Sequence, residues 1–203
     1  MGQLTDGGAW LSLSFEKNLK GPYELKFTPE VRMDQGMTRV GSILMDGAFS
    51  YKANKWLKAS VVVRQQWRQE LDGYMTPRQR YNVDLVADKS WNKIKFYYRI
   101  RYQQGLAIVS DEQFPGMRQA IRHKIKAKRK LIKKTWLSVG YEFFYSRRDG
   151  GFDWSDGRFK LEIERKIKKR RYLTVGYLFQ NEWNTQYPLS EHVIVLNYSL
   201  GFK

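Results

Sequence analysis

Apolar and polar side chains alternate along most of this chain, and no helical run interrupts them. Leu137, Val139, Tyr141, Phe143 and Tyr145 hold one parity of one stretch, against Ser138, Gly140, Glu142, Phe144 and Ser146 on the other. Ile94, Phe96, Tyr98, Ile100 and Tyr102 stand in the same way against Lys95, Tyr97, Arg99, Arg101 and Gln103. Successive side chains of a strand point to opposite faces, so a period of two predicts strands with one greasy and one polar side. Strands with no helices to cover them pack into a sandwich or close on themselves. Here the polar faces are charged and look to water, which leaves the apolar faces for lipid. The expectation is an all-β chain folded as a transmembrane, antiparallel, up-and-down β-barrel.

Segments with this pattern lie near residues 9–18, 22–34, 38–52, 56–69, 79–88, 93–103, 117–128, 135–147, 157–167, 171–182 and 191–202. They exceed the usual five or six residues of soluble strands and suit a tilted crossing of a bilayer. Short turns are expected at Lys52–Lys55, Asp88–Asn92, Arg129–Lys133 and Lys168–Arg170. Long loops are expected at Glu70–Arg78, Gly105–Met117, Arg148–Gly157 and Trp183–Glu191. Short turns at one end and long loops at the other are the habit of outer-membrane barrels, with the short ones periplasmic. The segments number eleven. Single-chain bacterial barrels prefer even counts, which favours ten or twelve within a range of ten to twelve.

Length and composition agree. The 203 residues make one domain, 1–203, and no stretch approaches the roughly 18 apolar residues of a spanning helix. Aromatic content is 15%, which favours strands. There is no cysteine, so disulfides and thiolate metal sites are excluded. Met1-Gly2 ahead of Gln3-Leu4-Thr5-Asp6 reads as an added start on a mature N-terminus, with a signal peptide already removed.

Outward faces include Leu57, Val61 and Val63, then Val83 and Leu85, then Val175 and Tyr177, and finally Ile194, Leu196 and Phe202. All seven tryptophans, Trp10, Trp56, Trp67, Trp91, Trp136, Trp154 and Trp183, fall at expected strand ends or connections, where a headgroup-level girdle would place them.

The net charge of +17 is unevenly spread. A lumen network is expected from Glu24, Glu30, Arg32, Arg64, Arg99, Arg101, Glu142, Glu162 and Glu164, knitting a small barrel into an ion-paired plug. A basic rim is expected from Lys126, Lys128, Arg129, Lys130, Lys133, Lys134, Lys168, Lys169 and Arg170, suited to anionic lipid headgroups or an acidic partner. Nucleic acid is not expected, because the aromatics lie on the face opposite the basic stripes.

Catalytic groups are sparse. His123 and His192 are the only histidines, and zinc sites of His and Cys clusters are ruled out. Ser190-Glu191-His192 at the start of the last strand is the one arrangement a lipid hydrolase could use. No cofactor, metal or enzymatic activity is expected.

Leu25-Lys26-Phe27-Thr28-Pro29-Glu30-Val31-Arg32, Tyr97-Tyr98-Arg99-Ile100-Arg101-Tyr102 and the stretch from Arg118 to Lys124 resemble a family of outer-membrane β-barrels of Gram-negative bacteria, the domain of unknown function 2490. The resemblance runs from Trp10 to Phe202. It implies a fold and an outer-membrane location but no activity. Tyr198-Ser199-Leu200-Gly201-Phe202 also resembles an aromatic signal for barrel assembly, here followed by Lys203. A structural or accessory barrel docking to a larger membrane complex is the first functional expectation. A narrow anion-preferring channel or small-molecule barrel comes second, and a membrane-embedded lipid hydrolase third.

Overall fold

The computed structural model describes residues 4–70, 72–107, 119–148 and 151–202. Every alternating segment becomes a strand: β1 (Leu4–Asn18), β2 (Tyr23–Asp34), β3 (Arg39–Lys52), β4 (Leu57–Gln69), β5 (Met75–Trp91), β6 (Ile94–Ala107), β7 (Gln119–Ile132), β8 (Thr135–Arg148), β9 (Gly151–Lys168), β10 (Arg171–Glu182) and β11 (Leu189–Phe202). Each pairs with its sequence neighbours, and the sheet closes into a barrel of eleven strands.

Eleven lies inside the expected range, but its oddness has a consequence. In an up-and-down barrel with an odd count, the first and last strands run the same way. β1 and β11 therefore pair in parallel, from Leu4 opposite Leu189 to Lys17 opposite Phe202, while every other pair is antiparallel. Side chains reinforce this seam. Ser12 and Ser14 donate to Asn197 Oδ1 at 2.9 and 3.1 Å, and Phe15 stacks on Phe202.

Several strands outrun the sequence pattern. β9 begins at Gly151, so the long loop expected over Arg148–Gly157 is mostly ladder. The reason is aromatic: Tyr145 of β8 stacks across to Phe152 and Trp154 of β9 at centroid distances of 5.5 and 5.2 Å. Such cross-strand pairs stabilise a sheet by about 0.2–1 kcal/mol each. β5 likewise starts at Met75, opposite Gln69, which shortens the expected loop at Glu70–Arg78. The contrast between the two ends is thus smaller than expected. The loop bearing Asp111 and Glu112 lies outside the described residues.

At the other end the turns are tight. Asn92 and Lys93 both take positive φ, 44° and 66°, as a two-residue hairpin turn demands. Lys134 and Arg170 each hold a single left-handed position beside a register shift.

The wall has the polarity of a membrane-spanning barrel. Outward apolar residues are solvent-exposed, Val61 at 52%, Val175 at 49% and Ile194 at 52%, whereas Glu142 in the lumen is only 3% exposed. The tryptophans divide. Trp56, Trp91 and Trp154 lie exposed outside. Trp10 points inward beneath two arginines, and Trp136 lies inward under Lys128, so neither joins a girdle. The apolar interior is small: Leu178, Val193 and Val195 on β10 and β11, with Trp10 packed against them.

Candidate functional site

The inner parity of the strands supplies the site. The lumen holds a cavity of about 1840 Å³ lined by β1 to β11, room for on the order of 60 waters at liquid density. Fourteen of its lining side chains are cationic and nine are acidic. The ion pairs do not span this space. Among the described residues they run along the wall, within a strand or between neighbouring or next-neighbouring strands, instead of knitting across the middle as expected.

Arg64 grips Asp46 on the adjacent β3 through two bonds of 2.6 Å, and Arg101 grips Asp84 of β5 in the same bidentate way. Glu142 on β8 receives Arg99 from β6 at 2.5 Å and Arg122 from β7 at 2.9 Å. Lys126 and Lys128 reach over β8 to Glu162 and Glu164 of β9 at 2.9 and 2.7 Å. Gly140 leaves the space beneath the first of these, since a Cβ there would already crowd Lys126 and the Ile125 carbonyl. Glu24 takes Lys52 and Lys58, and Arg32 holds Glu30 at 2.6 Å.

Within the network the arginines gather. A small apolar cushion carries Trp10, and Arg32 lies over its ring at 3.7 Å with Arg158 at 5.2 Å. Arg158 also lies 4.9 Å from the ring of Phe144, which Arg122 covers at 4.2 Å. Stacking on an aromatic face holds a guanidinium in place without neutralising it. From the other wall come Arg64, Arg80 and Arg101. Arg80 lies within electrostatic reach of Arg64, Arg32 and Arg101 and of the Asp46 carboxylate, and Arg158 within reach of Glu142, Glu191, Asp156 and Arg64. Six arginines from six strands thus form a ring across the lumen.

Two members form no direct ion pair among the described residues. Arg158 bonds the amide oxygen of Gln180 but no carboxylate. Arg80 forms no ion pair; it stands opposite Arg64 on one side and Gly105 on the other, where no side chain can reach it. A guanidinium that faces the cavity with no carboxylate in direct contact is open to an anion, as an anion-attracting constriction needs.

The structure brings the expected lumen residues together along the wall with Asp84, Arg122 and Arg158, whose inward parity the sequence also shows, and adds Asp46 and Arg80. The expected basic rim divides. Lys126 and Lys128 face inward and are paired, while Arg129, Lys130, Lys133, Lys134, Lys168 and Lys169 are exposed at the turn end and Arg170 is half-buried there. Strand parity is the signal that separates them. His123 and His192 sit on the outer wall, their Nδ1 atoms 2.8 and 2.6 Å from the hydroxyls of Tyr98 and Tyr177. Ser190 donates to Asn181 at 2.8 Å.

A family model described as "Protein of unknown function (DUF2490)" matches residues 7–189. The chain belongs to this family. Residues 7–189 take in the whole arginine ring, from Arg32 to Arg158, so the site lies inside the DUF2490 region. No curated protein matches the chain. Among solved structures, an "Anion-selective porin from Comamonas acidovorans" aligns at a TM-score of 0.45 and 14% identity, over 89% of this chain and 53% of the porin. This DUF2490 chain thus spans about half the porin's length.

Proposed function

We propose that this protein is an outer-membrane β-barrel of a Gram-negative bacterium whose water-filled lumen passes small anions, with the arginine ring as its selecting constriction. The observation that carries the proposal is that Arg80 and Arg158, neither in a direct ion pair among the described residues, line a cavity whose described lining holds more positive than negative side chains. Rings of arginine or lysine are the usual lining of anion pores. At eleven strands the barrel lies between the eight that side chains just fill and the sixteen that leave an open channel, so the passage is narrow.

Planar-bilayer recording tests it. The wild-type chain is expected to give a small conductance whose reversal potential in a salt gradient favours chloride. R80Q together with R158Q removes most of that preference. Absence of any conductance, or a preference indifferent to both substitutions, overturns the reading.

An accessory role, docking to a larger membrane complex, is the second reading. The unpaired lysines of the tight turns favour it, and co-purification of a partner chain that is lost when Lys133, Lys134, Lys168 and Lys169 become Gln is its test.

A further inference from the structure

Just beyond the apolar band at the tight-turn end, the outer wall carries cations that no carboxylate balances. Arg129 on β7 and Arg165 on β9 share the outward parity of Ile125 and Ile163, and Arg171 on β10 shares that of Leu173 and Val175. Alternation therefore turns all three to the lipid side, and all three are exposed. Arg165 registers opposite Thr135 on β8 and Leu173 on β10, while Arg129 registers opposite Leu137. One strand, β8, separates Arg129 from Arg165, and β10 brings Arg171 beside the latter, so the three form an arginine crescent on the wall. Among the described residues none of the three forms an ion pair, and the nearby Glu164 faces the lumen, held by Lys128 at 2.7 Å.

The two hairpin tips above the crescent are amphipathic. Lys133, Lys134, Lys168 and Lys169 directly follow exposed Leu131, Ile132 and Ile167, of which Ile132 is 67% exposed. A free phosphate would satisfy the cations and leave these apolar groups bare. A phospholipid satisfies both, its phosphate on the guanidiniums and its acyl region against the wall below. Arginine suits a phosphate through its bidentate fork. A zwitterionic headgroup presents its own cation to the crescent and is disfavoured.

We infer that Arg129, Arg165 and Arg171 form a binding site on the outer wall for the headgroup of an anionic phospholipid such as phosphatidylglycerol. The site is separate from the arginine ring, and its occupancy does not depend on whether the lumen conducts.

Native mass spectrometry of the detergent-purified chain, incubated with equal amounts of phosphatidylglycerol and phosphatidylcholine, tests this. Wild-type chain is expected to retain phosphatidylglycerol, and the R129Q, R165Q, R171Q triple variant to lose its retention by about tenfold or more. The triple Arg→Lys variant keeps part of it, since charge remains while the fork is lost. Equal retention of both lipids by wild type, or an undiminished preference in the Gln variant, overturns the proposal. So does displacement of the lipid by millimolar inorganic phosphate, or by an acidic protein that binds the same residues more tightly. Should the triple variant fail to fold, R165Q alone and a salt titration of the wild type decide the matter: phosphatidylglycerol occupancy must fall in both.

Discussion

Arg80 and Arg101 face the same cavity, yet removing Arg80 and removing the counter-charge of Arg101 have opposite consequences. Asp84 is buried and its carboxylate carries both bonds from Arg101. Asp84→Asn leaves that guanidinium beside other arginines without its counter-charge, and the wet lumen softens the loss. The expected cost is about 1–3 kcal/mol in a urea refolding titration, with greater anion preference. Arg80→Gln removes a cation that stands directly opposite Arg64, so it is neutral or stabilising by about 0.2–1 kcal/mol. A large destabilisation by R80Q would mean that Arg80 has a partner it depends on. Parity explains which of these residues the sequence disclosed. Arg64, Arg99, Arg101 and Glu142 lie mid-strand, where alternation is clean. Arg80 lies at the start of the expected strand 79–88 and Asp46 beside the Gly47-Ala48 interruption, so neither stood out. Trp10 looked like a girdle residue because β1 was expected to begin at 9; starting at Leu4, the strand puts Trp10 in its middle and on its inner face.

At the scale of strands, the seam between β1 and β11 is the least ordinary element, and parallel pairing is slightly weaker per residue than antiparallel. Its register is testable because the chain has no cysteine. Ser12→Cys with Asn197→Cys places two thiols on directly paired positions, about 4.8 Å apart across the ladder, inside the range a disulfide tolerates. Oxidation is expected to cross-link them, read as a mobility shift on unboiled gels. Efficient linking of Ser12→Cys with Ser199→Cys instead would reveal a two-residue slip. The wall's polarity has its own check. Val175→Arg on the outer face is expected to cost about 2–4 kcal/mol at mid-depth, and Gln66→Arg on the inner face far less. Equal costs would put the wrong face toward lipid. Strand existence and face were legible from the period of two alone. Strand ends were not, because Tyr145, Phe152 and Trp154 extend the ladder through contacts between strands that no local pattern contains.

For the whole molecule, charge is the property the sequence revealed in amount but not in arrangement. The continuous run from Lys126 to Lys134 read as one rim, and only the fold divides it into paired lumen lysines, lipid-facing Arg129 and exposed tips. The ion pairs follow the same logic: among the described residues the closed sheet sets the carboxylates beside their partners on the wall, not across the middle of the lumen. Among the described residues fourteen cations and nine acids line the cavity, and the excess of like charges repels itself. Salt screens such repulsion over a Debye length of about 8–10 Å near physiological ionic strength, comparable to the reach across a narrow lumen. Bidentate pairs in direct contact, such as Arg64 with Asp46, are screened much less. Thermal stability in detergent is therefore expected to rise between about 20 mM and about 500 mM sodium chloride. Divalent sulfate at equal ionic strength is expected to raise it further by binding the ring, an increment that disappears in R80Q with R158Q. A melting temperature that falls with salt would show that exposed ion pairs, rather than the excess of arginines, govern the balance.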